Sequence, residues 1–315
     1  MSFLGQVLIL SASLLILAKS AELVVRNLIK IANILRWSTF IVSFIILGIF
    51  SSTPEIFVGI NSVMENTPQL SLGNVIGASI VLLTLVVGLT ATITGKVVVD
   101  STFAKKDLFI MNIVILLPIL LLYDGRLTRI DSLIMYFAYG IYVYRMYKER
   151  HKLSHPIANL NHSTQFTKSI SLLILGFLGL ALSSNFAVDS AIEVARFLKI
   201  PVLLLGILLF SIGTNFPELI VTLTAIRKKQ KTIVLGNVLG SATTNTLVIA
   251  IVSFIQPFSV LEFSTFMVSV FFLATSVVTF SLFVKSKNEV SRTEGLLLLS
   301  LYAFFVISEI VTKLI

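Results

Sequence analysis

Apolar stretches long enough to cross about 30 Å of hydrocarbon recur ten times along this chain, at roughly 3–33, 38–65, 70–94, 107–123, 129–149, 168–198, 201–227, 231–255, 262–284 and 293–313. No other feature constrains the fold as strongly. In lipid every backbone amide and carbonyl must find its partner within the protein, so a chain of this pattern spans as α-helices. Only 12% of its 315 residues are charged and 56% are apolar, whereas a soluble domain carries about 25% charged residues to wet its surface. An ordinary soluble enzyme and a disordered chain are both excluded. The expected fold class is an all-α polytopic membrane protein. The first apolar run carries no basic residue ahead of it and continues into Ala18–Leu35, so it reads as a span and not as a cleaved signal.

The longest loop, Arg150–Thr167, contains all three histidines and separates two sets of five spans. The expected organisation is a first five-helix repeat at 1–149, a cytoplasmic linker at 150–167 and a second five-helix repeat at 168–315. Loop charge sets the orientation, because Lys and Arg concentrate on the cytoplasmic side. With the N-terminus outside, 18 of the 24 basic residues fall at cytoplasmic ends and 5 at the opposite ends, with Lys19 inside the first span. Arg227–Lys231 alone favours this choice. Both termini are then outside, and the cell membrane is the expected location. The net charge of +9 follows from this bias and does not call for nucleic acid.

A comparison of the chain with itself gives a match at a constant offset of 163 residues. Between Pro54 and Gly77, 8 of 24 positions are identical to 217–240: Pro54/Pro217, Glu55/Glu218, Val58/Val221, Leu72/Leu235, Gly73/Gly236, Asn74/Asn237, Val75/Val238 and Gly77/Gly240. Chance gives about two at ordinary composition. An odd number of spans per half makes the second copy enter the membrane from the other side. This is the inverted-topology repeat of secondary transporters, whose sites lie near the midplane between the repeats.

Glu55 and Glu218 sit mid-span, and an ionisable residue there is expensive unless it has a function. Pro54 and Pro217 precede them and remove a backbone donor, which leaves carbonyls near Gly48–Ser51 and Ser211–Thr214 for a ligand. Ser51 and Ser52 share a helical face with Glu55, and Thr214 and Asn215 stand likewise to Glu218. Asn237, Ser241 and Asn245 recur every four residues after the second motif. The equivalent residues of the first copy are Asn74, Ala78 and Leu82. Carboxylate, hydroxyl, amide and carbonyl oxygens suit Ca²⁺, Na⁺ or Mg²⁺. Thiolate chemistry is excluded because there is no cysteine, and a buried zinc cluster is disfavoured because the histidines share one polar loop. No HExxH, GxGD or aspartate-rich prenyl-transfer pattern occurs, so the expectation is a transporter and not an enzyme, with no cofactor and no obligate protein partner. The paired glutamates in one chain also argue against a passive channel, whose filter usually needs several chains around one axis.

At these residues the sequence resembles the membrane region of the sodium/calcium exchangers, in the cation/Ca²⁺ antiporter superfamily. That family carries two repeats of the form G-[TS]-S-x-P-E followed by GN-x-x-GS. Here they read F-S-S-T-P-E with GNVIGASIVL, and G-T-N-F-P-E with GNVLGSATTN. The resemblance implies a Ca²⁺ site between Glu55 and Glu218 with carbonyl ligands from Ser51 and Thr214. It also implies monovalent sites that use Gly48, Ser52, Ser211, Asn215, Ser241 and Asn245. Asn74 and Asn237 complete the expected set. The function expected on this resemblance is exchange of Ca²⁺ against a monovalent cation, Na⁺ foremost and H⁺ as the alternative. The departures are Phe50 in the first motif, Asn215 in the second, and Ala78 and Leu82 in place of the polar pair usual in the first copy, so the sodium-selective positions of the first half are thinned.

Overall fold

Helices occupy the described parts of the apolar stretches, and residues 38–46 of the second stretch lie outside the described residues. The structure, a computed structural model, describes residues 2–35, 47–98, 105–150, 163–227, 231–260 and 263–314. Helix α1 covers Phe3–Ile34, α2 Leu47–Ser51, α3 Thr53–Met64 and α4 Pro68–Ile80. A π-helical segment at Val81–Val86 leads into α5, Val87–Thr94. Strand β1 (Lys96–Val98), α6 (Lys105–Leu121), β2 (Arg126–Leu127) and α7 (Arg129–Arg150) complete the first half. The second half has α8 (Ser163–Leu198), α9 (Val202–Leu205), a π-helical segment (Gly206–Phe210), α10 (Ser211–Thr214), α11 (Phe216–Arg227) and α12 (Lys231–Ile255). It closes with β3 (Phe258–Ser259), α13 (Phe263–Lys287), β4 (Glu289–Ser291) and α14 (Arg292–Leu314). Seven of the helical stretches described are long and apolar enough to cross a membrane, and Leu108–Asp124 is a shorter apolar helix. Residues 151–162 of the expected linker, with its three histidines, and residues 228–230 of the basic loop lie outside the described residues.

Burial sorts the helices into layers. Most residues in the apolar centres of Pro68–Thr94 and Gly236–Ile255 are buried, whereas most of those in α1, α8 and α14 are not. The two helices that follow the repeated Pro-Glu motifs therefore form the centre, and the long α1 and α8 present broad apolar faces outward. Glycine makes the centre possible. A Cβ on Gly73 would lie 2.3 Å from the Leu203 carbonyl oxygen, and one on Gly206 would lie 2.3 Å from the Leu70 oxygen. Backbone meets backbone there, as small residues permit between membrane helices.

Helices α1 and α8 pack along their length. Phe3 meets Phe197 at a ring separation of 5.8 Å, while Ser20 lies against Gly179 and Val24 against Gly176. One index rises as the other falls, so the two helices run antiparallel. Two short strand pairs tie the halves together: β1 pairs antiparallel with β4, Lys96 opposite Ser291, and β2 pairs antiparallel with β3, Arg126 opposite Ser259. Helix α6 separates β1 from β2, and α13 separates β3 from β4.

Candidate functional site

Each repeated motif breaks a helix at one residue. Ser52 separates α2 from α3 with φ −80° and ψ 12°, and Asn215 separates α10 from α11 with φ −90° and ψ 5°. These two residues lie at the 163-residue offset. Proline causes the break: Pro54 and Pro217 fit the first turn of a new helix, where their missing N–H is no loss, but cannot continue an old one. Glu55 and Glu218 then fall in the first turns of α3 and α11. The positive end of each helix dipole favours a carboxylate at that position. Ser51 and Thr214 close the two preceding helical segments, whose terminal carbonyls have lost their usual donors.

The break residues take up part of that loss. Ser52 Oγ donates to the Gly48 carbonyl at 3.2 Å, and Asn215 Nδ2 donates to the Ser211 carbonyl at 2.7 Å. These two bonds are again related by the 163-residue offset. Thr53 Oγ1 donates to the Phe50 carbonyl at 2.6 Å. The carbonyls of Gly48 and Ser211, expected from the sequence to be free, are therefore each engaged by a side chain of their own turn.

The expected residues are buried together. Glu55, Glu218, Ser51, Ser52, Thr214, Asn215, Ser211, Asn74, Asn237, Ser241 and Asn245 are all at most 2% exposed, and Gly48 is buried against Gly240. The contacts cross between repeats. Ser51 Oγ lies 2.7 Å from Ser241 Oγ, and Thr214 Oγ1 donates to Asn74 Oδ1 at 3.2 Å. The Thr214 side chain also faces Glu55, the Ser51 side chain faces Glu218, and the two carboxylates are close enough to repel one another.

Satisfaction of hydrogen bonds separates ligands from scaffold. Buried polar atoms are normally paired, and each exception calls for a reason. Here Glu55 Oε2, both carboxylate oxygens of Glu218, Asn215 Oδ1 and Asn237 Oδ1 have no hydrogen-bond partner. All five are buried acceptor oxygens, the kind of ligand a hard cation takes. Asn237 Nδ2 is held by the Glu218 carbonyl at 3.2 Å and by Thr222 Oγ1 at 3.2 Å, which fixes its amide. Asn74 is the exception, because its Oδ1 takes Thr214 and its Nδ2 is the unpartnered atom. Asn245 Nδ2 donates to Ser79 Oγ at 3.0 Å and to the Val75 carbonyl at 3.4 Å. Among the described residues no three His, Cys, Asp or Glu side chains gather in one place, so oxygen of mixed type defines the site.

Two neighbours of the site, Thr222 and Ser79, were not picked out by the constant-offset comparison. Thr222 corresponds to Gly59 and Ser79 to Ala242, so neither is repeated. A search for small polar residues inside apolar spans would have found both.

The sequence pattern of the family described as sodium/calcium exchanger protein matches residues 5–148 and again 168–311. The sodium/calcium exchanger MaX1 of Methanosarcina acetivorans is 26% identical over 342 aligned positions, covering 95% of this chain and 97% of the relative. The inner membrane protein YrbG of Escherichia coli is 24% identical over 218 positions, covering 66% and 67%. Among solved structures, the sodium-calcium exchanger NCX_Mj soaked with Na⁺ and Sr²⁺ superposes with a TM-score of 0.69 at 26% identity, over 98% of this chain and 99% of the other. The integral membrane assignment and the transporter class follow, and the chain belongs to the sodium/calcium exchanger protein family.

Proposed function

We propose that this chain is a secondary antiporter that exchanges Ca²⁺ against a monovalent cation, Na⁺ foremost, by alternating access, with Ca²⁺ held between Glu55 and Glu218. One observation carries the reading. Buried acceptor oxygens without a hydrogen-bond partner come from both repeats: those of Glu55, Glu218 and Asn215 at the two equivalent Pro-Glu helix breaks, and that of Asn237 on α12. Ca²⁺ neutralises two carboxylates that repel one another in a dry site. Monovalent ions neutralise the same pair, so the two loads exclude one another and their movements are coupled. The carbonyls of Ser51 and Thr214 are the proposed backbone ligands. Gly48, Ser52, Ser211, Asn215, Ser241 and Asn245 serve the monovalent load, and Asn74 and Asn237 border it.

The proposed frame is ten spans in two inverted five-helix repeats, 1–149 and 168–315, joined by a cytoplasmic linker at 150–167 in the cell membrane with both termini outside. Support comes from three relations. Helix α1 runs antiparallel to α8, its counterpart in the second half. The strand pairs interchange under the 163-residue offset, which takes β1 at Lys96 to β3 at Ser259 and β2 at Arg126 to β4 at Glu289. The family pattern matches each half separately. The proposed moving part is the antiparallel α1/α8 pair, long and apolar on its outer face, sliding across the buried helices.

The test is uptake of radioactive Ca²⁺ into proteoliposomes under imposed Na⁺, K⁺ and pH gradients, each in turn. Uptake driven against its own gradient by Na⁺ supports the proposal. Flux that runs only down the Ca²⁺ gradient and needs no counter-ion replaces it with a channel.

A further inference from the structure

Helix α8, half of the proposed moving pair, meets α3 through a buried polar contact. Asn61 of α3 donates from Nδ2 to Ser184 Oγ of α8 at 2.7 Å. Both residues are buried. The surrounding contact is apolar: Phe57 meets Phe177 at a ring separation of 6.4 Å, and Val58 shares a buried cluster with Leu180, Ala187 and Val188. Apolar surfaces stay in contact when one helix slides along another by part of a turn. A hydrogen bond is lost once donor and acceptor part beyond about 3.5 Å.

Each partner keeps a bond of its own when the contact opens. Asn61 Nδ2 also donates to the Phe57 carbonyl of its own helix at 3.0 Å. The Ser184 hydroxyl proton goes to the Ala181 carbonyl of its own helix at 3.1 Å. Sliding therefore costs one hydrogen bond and strands neither side chain.

The other half cannot make this contact. Under the 163-residue offset Asn61 corresponds to Thr224 on α11 and Ser184 to Ala21 on α1. Ala21 is fully buried, and its methyl group neither donates nor accepts. Alternating access in inverted repeats moves one repeat or bundle against the other, so the two end states differ in which repeat takes which arrangement. A bond open to one repeat alone separates those states in energy.

We infer that the Asn61–Ser184 bond is a one-sided latch: it favours the arrangement described here over the one in which the repeats exchange roles, and so weights the resting transporter towards one side of the membrane. The inference rests on the proposed function and adds a bias to its moving part. One net hydrogen bond is worth about two- to tenfold in the ratio of two states. Asn61 and Ser184 are not among the residues assigned to the ions.

The experiment uses the full chain in lipid nanodiscs, with spin labels on cysteines introduced by Met64→Cys and Leu175→Cys. The chain has no other cysteine, and both positions are exposed. Helices α3 and α8 run parallel here, because Phe57 precedes Asn61 as Phe177 precedes Ser184. Met64 lies beyond the latch and Leu175 before it, so the distance between the labels changes as α8 slides. Two distance populations are expected across samples with Na⁺, with Ca²⁺ and with neither. Ser184→Ala and Asn61→Leu are each expected to shift their ratio about two- to tenfold in the same direction. The double variant is expected to shift it no further than either single one, because both remove the same bond. Ala21→Ser with Thr224→Asn, which offers the other half the same pair, is expected to shift the parent ratio in that direction too. Unchanged ratios in both single variants, or additive shifts in the double, overturn the latch and leave the proposed exchange standing. A single distance in every variant and every ion condition overturns the proposed sliding of α1 and α8, and the latch with it.

Discussion

Asn215 stands to Ser211 as Ser52 stands to Gly48: each closes the last carbonyl-bearing turn before a Pro-Glu step with its own side chain, at 2.7 Å and 3.2 Å. The chemistry of the two is not the same. Serine spends its one hydroxyl proton on the bond. Asparagine spends an amide proton and keeps a carbonyl oxygen, buried and unpartnered, beside Glu218. The two halves therefore share one backbone geometry and differ in the ligands they bring to it.

The carboxylates are the part of the site that has no substitute. Glu55→Gln and Glu218→Gln are each expected to abolish Ca²⁺ transport in protein that inserts normally. Each removes one of two negative charges that offset the desolvation of a divalent ion. Leaving a buried charge without its partner costs about 3–5 kcal/mol, or about two to four orders of magnitude in affinity. Uptake in proteoliposomes measures it, with detergent gel filtration as the check on folding. Near-normal uptake in either variant removes the paired-carboxylate site.

Glycine substitutions separate packing from site chemistry. Gly73→Ala and Gly206→Ala each place a methyl 2.3 Å from a backbone oxygen of a facing helix, and backbone cannot move aside as a side chain can. Each is expected to destabilise by about 1–3 kcal/mol or more and to lower the melting temperature in detergent. Gly140→Ala is the control. A Cβ there meets nothing within 4 Å, and alanine gains up to about 1 kcal/mol in helix propensity. Equal melting temperatures for Gly73→Ala and Gly140→Ala would contradict the backbone contact.

Topology is testable because the chain has no cysteine of its own. Single cysteines placed in 150–167 and in 227–231 are expected to resist an impermeant thiol reagent in intact cells and to react after permeabilisation. Cysteines beside Lys199 or Gly125, at the opposite loops, are expected to react from outside. Labelling of either basic loop from outside would reverse the orientation drawn from loop charge.

Much of this arrangement was legible in the sequence, for identifiable reasons. Helix extents follow from hydropathy, because the apolar length is set by the membrane. The breaks at Ser52 and Asn215 follow from proline, and the position of Glu55 and Glu218 at new helix starts follows from the breaks. The π-helical segments at Val81–Val86 and Gly206–Phe210 were not legible, because an apolar run reads alike whether its bonds span four residues or five. The strand pairs were too short, at two or three residues, to leave an alternating pattern. Cross-repeat contacts such as Ser51 with Ser241 and Asn245 with Ser79 depend on which helices meet, and that is a property of packing. The single-copy Ser79 and Thr222 show the limit of the repeat itself, because a comparison of halves reveals only what both halves retain.

The unequal halves give the last prediction. The second repeat brings Thr214, Asn215, Ser241 and Asn245 to the site and the first brings Ser51 and Ser52, with the buried apolar Ala78 and Leu82 at the positions equivalent to Ser241 and Asn245. A monovalent ion that lacks oxygen ligands cannot recover its hydration energy, so the second-repeat stripe is expected to carry most of the Na⁺ dependence. Ser241→Ala also removes one partner of the Ser51 hydroxyl, and Asn245→Leu removes the bond to Ser79. Together they are expected to lower the Hill slope of Ca²⁺ flux against Na⁺ at fixed pH and to raise its midpoint by about tenfold or more, the loss of one hydrogen bond to an ion at about 1.5–3 kcal/mol. Ala78→Ser with Leu82→Asn is expected to move the slope the other way, by giving the first repeat the oxygens it lacks. An unchanged slope and midpoint in the Ser241→Ala, Asn245→Leu protein would mean that the stripe only packs α12 against its neighbours.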